Sequence, residues 1–111
     1  MSLGTDNGWK VLCATAEALP GEMLPVFLDD VPLLVVNHDG QFYVIEDQCT
    51  HDAYELSSGR FDPETFSVEC AYHGAQFDVR NGEALCPPAY EPVRKFPVKV
   101  EDGLVYVQMD E

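Results

Sequence analysis

The feature that most constrains the fold of this chain is a series of short apolar runs separated by turn dipeptides. Each run is rich in β-branched or aromatic residues, which favours strands, and no segment keeps a period of 3.6 residues. Aspartate, asparagine and glycine reach positive φ at low cost, as the two-residue turn of a β-hairpin requires. The sequence therefore predicts an antiparallel all-β domain, either a meander or a sandwich. The turn dipeptides are Asp29-Asp30, Asp39-Gly40, Asn81-Gly82 and Asp102-Gly103.

Two longer stretches interrupt the strand pattern. Residues 46–61 show little alternation and many polar side chains, as expected of a functional loop, while residues 85–92 contain two adjacent prolines that disfavour pairing in a central strand. In the first predicted strand, alternation would place Trp9, Val11 and Cys13 on one face. The predicted strands cover residues 9–13, 23–28, 31–37, 41–46, 75–79, 83–85, 96–101 and 104–109.

Length and charge limit the possible functions. A chain of 111 residues has room for one domain, and its 20 acidic and 6 basic residues give a net charge of −14. Because that charge repels phosphate, we expect no nucleic-acid or anionic-membrane partner. We predict instead that the chain binds a basic surface on a partner protein. The apolar runs are too short to cross a membrane, and residues 1–8 show no secretory signal. We therefore expect a cytoplasmic monomer with reduced thiols.

Four of the seven cysteines and histidines form two similar clips, Cys49-Thr-His51 and Cys70-Ala-Tyr-His73. Each clip offers one thiolate and one imidazole. A zinc finger usually takes both cysteines from one element and both histidines from another. The mixed arrangement suits a dinuclear centre, in which both thiolates bind one iron and both imidazoles bind the other. That is the ligation of a Rieske [2Fe–2S] cluster.

With these clips, the chain resembles the small Rieske-type ferredoxins of multicomponent ring-hydroxylating (aromatic) dioxygenases. The resemblance also rests on Gly74-Ala-Gln-Phe-Asp78 and on Leu56-Ser-Ser-Gly59. It implies a Rieske fold, in which an antiparallel β-sandwich base carries a small cluster-binding subdomain made of two ligand loops.

The resemblance implies a single Rieske domain over residues 1–111. The cluster-binding subdomain would occupy about residues 46–84, and a covering proline loop would occupy about residues 85–92.

The resemblance also implies the ligands and the activity. Cys49 and Cys70 would bind the inner iron, and His51 and His73 the outer iron near the surface, with one [2Fe–2S] cluster per chain. The chain would have no catalytic residues of its own. It would carry single electrons from an NAD(P)H-dependent ferredoxin reductase to a terminal oxygenase in aromatic hydrocarbon catabolism.

Four positions depart from the high-potential Rieske proteins of respiratory complexes. Tyr54 and Tyr72 stand where those proteins have a pair of bridging cysteines, so that disulfide cannot form here. Ala75 and Phe77 stand where they have serine and tyrosine hydroxyls near the cluster sulfurs. Because these donors would stabilise the reduced state, their absence predicts a potential of roughly −150 mV, the low end of the Rieske range.

Other assignments of the same residues stay open at this stage. The four clip residues could form a structural zinc site in an interaction module, and Cys70 with a clip histidine could form a nucleophilic dyad. Within the resembling family, the alternative is a Rieske-like small subunit of another oxidoreductase, such as a nitrite reductase.

Residues outside the clips receive simpler interpretations. We expect Cys13 to be a small core residue, Cys86 to be a free thiol in the proline loop, and His38 to be solvated. The acidic residues near the first clip are expected to face solvent, where they could steer a basic partner. These are Glu46, Asp47, Asp52 and Glu55.

Overall fold

The computed structural model of the chain describes residues 8–48, 55–71, 74–86 and 92–108. Within these ranges the protein is built from antiparallel strands and two short 3₁₀ helices, which confirms the predicted all-β class. No helix in this part of the chain is long and apolar enough to cross a membrane. The strands are β1 (Trp9–Ala14), β2 (Met23–Leu28), β3 (Val31–His38), β4 (Gln41–Glu46), β5 (Arg60–Asp62), β6 (Ser67–Glu69), β7 (Gln76–Asp78), β8 (Ala84–Cys86), β9 (Lys95–Phe96), β10 (Val98–Glu101) and β11 (Leu104–Gln108), and the 3₁₀ helices are Thr15–Glu17 and Leu56–Ser58.

The strands form three sheets. The first has the order β1-β11-β10, the second β2-β3-β4-β9 and the third β5-β6-β7-β8. Three of the four predicted two-residue turns are confirmed, because both central residues of each have positive φ. They join β2 to β3, β3 to β4, and β10 to β11, at Asp29-Asp30, Asp39-Gly40 and Asp102-Gly103.

The prediction at Asn81-Gly82 was wrong in its turn type. Five residues separate β7 from β8, and of this pair only Gly82 has positive φ. The Gly82 N–H donates to the Asp78 carbonyl at 2.6 Å. A Cβ at Gly82 would lie 2.4 Å from the Val93 carbonyl oxygen, so close packing also requires glycine here.

The predicted common face of Trp9, Val11 and Cys13 was also wrong. Val11 pairs with Tyr106 and Cys13 pairs with the preceding residue of β11, so Leu12 is an extra residue in β1. Such a bulge reverses the alternation of side chains. Leu12 and Cys13 are therefore both buried, whereas Val11 is exposed. Burial and the nearby Glu17 raise the pKa of the Cys13 thiol to about 11, as suits the predicted core residue.

Two other predicted boundaries change. Residues 96–101 do not form one strand, because Pro97 separates β9, which pairs with β4, from β10, which pairs with β11. Proline lacks the backbone N–H that continuous pairing would need. The irregular stretch predicted for residues 46–61 already contains the start of β5 at Arg60.

The second sheet is covered on both faces. Leu33 and Val35 of β3 pack with residues of the first sheet, including Val105. Leu34 and Val36 point to the opposite face and pack with residues of the third sheet. The structure is therefore layered. The first and second sheets pack together as the base of the domain, and the third sheet packs on the outer face of β3 and β4.

An aromatic stack joins the second and third sheets at one end of β3. The His38 ring lies 4.0 Å from the Phe66 ring centroid, and its Nε2 donates to the Pro63 carbonyl at 2.8 Å. The Arg80 guanidinium lies 4.2 Å from the same Phe66 centroid. His38 is therefore a contact residue, not the solvated histidine expected from the sequence. The β5–β6 turn therefore lies at the C-terminal end of β3.

The Asp78–Arg80 pair supports this stack and gives a test of the packing. Both Asp78 carboxylate oxygens accept hydrogen bonds from Arg80, which lowers the pKa of the carboxyl below its usual value. We expect Asp78→Asn to lower the free energy of unfolding by about 1 kcal/mol at neutral pH, a modest value because Arg80 is half exposed. Urea denaturation followed by circular dichroism measures this loss.

The pH dependence follows from the direction of that pKa. A lowered folded-state pKa stabilises above the unfolded pKa and loses its effect as pH falls through the folded value. The difference between wild type and Asp78→Asn should therefore vanish in acid. Asp39→Asn, at an exposed turn, is the control and should leave stability unchanged. A pH-independent difference at Asp78 would contradict the ion-pair explanation.

Candidate metal centre

Only one of the four predicted ligands lies in the described residues. Cys70 directly follows β6 and is 1% exposed. Cys49, His51 and His73 lie outside the described residues, as do Tyr54 and Tyr72. In the described part of the chain, no three histidine, cysteine or acidic side chains come close enough to hold a metal ion.

Two backbone hydrogen bonds link Cys70 to the residues that precede β7. The Cys70 N–H donates to the Ala75 carbonyl at 2.7 Å, and the Cys70 carbonyl accepts the Gly74 N–H at 3.1 Å. Gly74 has a φ of +75°, which a glycine adopts without strain. These bonds hold the Cys70 backbone rigidly, as a metal ligand requires.

Cys70 lines a pocket of about 390 Å³. The pocket brings together two segments of the chain. Residues 58–60 follow the first clip, and the other lining residues belong to the segment that carries the second clip. A buried free thiol beside such a space is the donor that iron or zinc prefers. This part of the structure therefore fits a thiolate-bound metal centre. The lining residues are Ser58, Gly59, Arg60, Glu69, Cys70, Ala71 and Gly74.

Gly59 sets the distance between these two segments. A Cβ atom at Gly59 would lie 1.7 Å from the Glu69 carbonyl oxygen and 3.1 Å from the Ala71 nitrogen. Both contacts are with backbone, which cannot rotate away. Only glycine allows the first segment to approach the Cys70 segment this closely.

Asp47 anchors the start of the segment that contains the first clip, residues 47–57. Its carboxylate accepts the Ser57 N–H at 2.7 Å, and its own N–H donates to the Pro32 carbonyl at 2.9 Å. Leu56, beside Ser57, is fully buried in the core. Both ends of residues 47–57, which include Cys49 and His51, are thus attached to the base.

The burial of Asp47 corrects the expectation of a solvent-facing acidic group at this position. Asp47 is 4% exposed, so it contributes a hydrogen bond and not a surface charge. Glu55 is exposed as predicted and Glu46 is half-buried, while Asp52 lies outside the described residues. Any acidic rim at this end of the protein therefore excludes Asp47.

Cys86 contacts the second clip segment. Its Sγ lies 3.5 Å from the Gly74 carbonyl oxygen, within reach of a weak S–H hydrogen bond. The expected place of Cys86 in the proline loop was wrong, because Cys86 is the last residue of β8 and pairs with Gln76 of β7. Pro87 and Pro88 lie outside the described residues. Ala75 and Phe77, the positions without hydroxyl groups, are both fully buried.

Comparison with known proteins identifies the kind of centre. A model of the Rieske [2Fe-2S] domain family matches residues 8–97. The 3-phenylpropionate/cinnamic acid dioxygenase ferredoxin subunit of Photorhabdus laumondii is 35% identical over 104 residues, covering 92% of this chain and 96% of the relative. The biphenyl dioxygenase ferredoxin subunit of Pseudomonas sp. strain KKS102 is 39% identical over 96 residues, covering 86% of each chain.

A solved structure agrees with these relatives. A chain in the complex of reduced oxygenase and oxidized ferredoxin in carbazole 1,9a-dioxygenase superposes with a TM-score of 0.83 at 36% identity. The match covers 91% of this chain and 93% of the other.

The Gly59 contact generates a prediction about metal retention. Gly59→Ala should reduce bound iron per chain several-fold, because the added methyl group forces the two clip segments apart. Iron analysis and visible absorption of the purified protein measure the effect. Gly103→Ala is the control, since Gly103 lies in a turn at φ +77° and has no atom within 4 Å of an added Cβ.

The control separates local crowding from a general loss of stability. Alanine at positive φ costs about 1 kcal/mol, so Gly103→Ala should lower thermal stability while keeping its iron. Equal iron loss in both variants would mean that Gly59 does not act through the contact between the segments.

Proposed function

The chain belongs to the Rieske [2Fe-2S] domain family, and on this basis we propose that it is the ferredoxin component of a ring-hydroxylating dioxygenase system. Its relatives of nearly equal length are named ferredoxin subunits, which makes the chain an electron-transfer component and not a catalytic enzyme. Its cofactor is a Rieske-type [2Fe–2S] cluster. When bound, the cluster would take up and release one electron at a time, and with its two thiolate ligands counted its formal charge would change from zero to minus one.

The observation that carries the proposed ligand set is the geometry around Cys70. The buried Cys70, whose backbone N–H and carbonyl each form a hydrogen bond, lies beside the segment that follows Cys49 and His51. Cys49 and Cys70 would hold the inner iron, and His51 and His73 the outer one. Thiolates suit the buried position, and neutral imidazoles suit a position from which electrons leave the protein.

Residues around the second clip segment favour a low potential. Ala75 and Phe77 are fully buried and offer no hydroxyl donors to the cluster sulfurs. Fewer hydrogen bonds to sulfur leave the added electron less stabilised. This supports a potential near the lower end of the Rieske range, roughly −150 mV.

The partners follow from the relatives and from the charge. Electrons would enter from an NAD(P)H-dependent reductase and leave to a terminal oxygenase, of the kind seen in the ferredoxin–oxygenase complex. A net charge of −14 suits basic docking surfaces on both proteins. We further propose a cytoplasmic monomer, organised as one domain with a cluster-binding subdomain at about residues 46–84 and a covering loop at about residues 85–92.

Ligand substitution tests the four assigned residues. His51→Cys and His73→Cys should each abolish the Rieske electron-paramagnetic signal whether or not a cluster remains, because each removes one imidazole from the outer iron. His38→Asn changes the third histidine and should keep the signal, since His38 lies at the β5–β6 end of the protein.

The same protein samples test the nature of the metal. Wild type should be red-brown, bleach with dithionite and give a potential of roughly −150 mV by protein-film voltammetry. A colourless zinc protein, or a Rieske signal that survives in His51→Cys, would refute the assignment.

Salt dependence tests the role of charge in electron transfer. We expect the rate of oxygenase reduction to fall as ionic strength rises from about 0.01 to 0.15 M, because the Debye length shrinks from about 30 to 8 Å. Stopped-flow measurement with a carbazole or biphenyl dioxygenase oxygenase component gives this rate. A rate independent of salt would reduce the negative charge to a solubility feature.

A further inference from the structure

Phe27 is the most exposed large apolar side chain in the described part of the chain, at 68%. It lies in β2, an edge strand of the second sheet. Along β2, Met23, Pro25 and Phe27 share one face, and their cross-strand partners on β3 include Leu34 and Pro32. This is the face against which the third sheet packs. Phe27 lies where the face extends beyond that cover.

The position of Phe27 is at the clip end of the molecule. Phe27 pairs with Pro32, whose carbonyl accepts the Asp47 N–H, two residues before Cys49. Strand β2 also contacts the 3₁₀ helix Leu56–Ser58, which follows the first clip. The opposite end of β3 carries the aromatic stack. A protein that docks over the clips therefore meets Phe27 at the border of its footprint.

The edge of β2 is not suited to strand addition. Pro25, in the middle of β2, has no backbone N–H to offer to an added strand. Contact at this edge must therefore come through side chains, with Phe27 as the largest one available. Aromatic side chains, phenylalanine among them, are enriched at the core of protein interfaces.

Charge around Phe27 selects the class of partner. Asp29 and Asp30 form the turn that follows β2, and Glu55 is exposed at the start of the helix that contacts β2. Lys10 forms an ion pair with Asp29 and leaves the other two acidic groups to face solvent. A second copy of this chain, with the same charge of −14, would be repelled. The complementary surface is an apolar depression bordered by lysine or arginine.

We propose that Phe27 and its acidic border, Asp30 and Glu55, form part of the docking surface for the terminal oxygenase. This inference rests on the proposed function and adds to it the residue that anchors the partner. The apolar contact holds the docked pair in position, while the acidic groups raise the encounter rate. A small buried area would suit a carrier that must dissociate after each electron.

The test compares two exposed apolar residues at opposite ends of β3. Phe27→Ala should raise the oxygenase concentration for half-maximal electron transfer about tenfold, with an unchanged limiting rate. Leu19→Ala is the matched control. Leu19 is 53% exposed and follows Ala18, whose carbonyl accepts the Asn37 side chain at the far end of β3. Leu19→Ala should change the concentration dependence by less than about twofold.

The oxygenase component of carbazole 1,9a-dioxygenase is the probe, because a ferredoxin similar to this chain forms a complex with it. Phe27→Tyr should restore binding, and both Phe27 variants should keep the wild-type spectrum and potential. Equal behaviour of Phe27→Ala and Leu19→Ala, with active wild type, would overturn the docking inference alone. Wild type that holds a cluster but reduces neither this nor a biphenyl dioxygenase oxygenase would overturn the proposed function and this inference with it.

Discussion

Burial of the second sheet on both faces is the constraint on which the remaining structure depends. Alternate β3 residues point to opposite faces of the second sheet. Leu33 and Val35 therefore pack against the first sheet, while Leu34 and Val36 pack against the third sheet. Leu56 enters the same core as the third sheet, so the segment after the first clip is attached to the fold by apolar packing. The close approach of this segment to the Cys70 segment is therefore a consequence of core packing.

The parts of the fold that were predictable from sequence are those determined by neighbouring residues. A turn such as Asp39-Gly40 needs two adjacent residues with positive φ, and that requirement is visible in the sequence. The bulge at Leu12 depends on the register with β11, which lies about ninety residues further along the chain. Pro97 could be recognised as a break, but the assignment of β9 and β10 to different sheets depends on which strands they meet.

The same distinction applies to the metal centre. Its four donor residues stay a prediction, made because thiolates and imidazoles in two matched clips are typical of Rieske ligation. The surroundings of the clips were harder to predict. Asp47 looked like a surface charge, since isolated carboxylates are rarely buried, yet the structure places it on the Ser57 amide. Gly59 carried a signal in Leu56-Ser-Ser-Gly59, but the reason for glycine is a backbone 10 residues away in sequence, at Glu69.

Charge and apolar contact have different roles when an electron carrier binds its partner. Long-range attraction from the net charge of −14 speeds approach to a basic partner but provides little geometric precision, and salt weakens it. Among the described residues that line the Cys70 pocket, Arg60 is the one cation, and its side chain is 85% exposed. The described part of this site therefore offers little positive charge to offset an added electron. An acidic carrier gains from a basic partner in both respects, because the partner's cations attract the whole protein and also stabilise the reduced centre. An apolar contact at Phe27 then fixes the orientation of the docked pair. It does so without strengthening the electrostatic attraction, which must be overcome when the two proteins separate after each transfer.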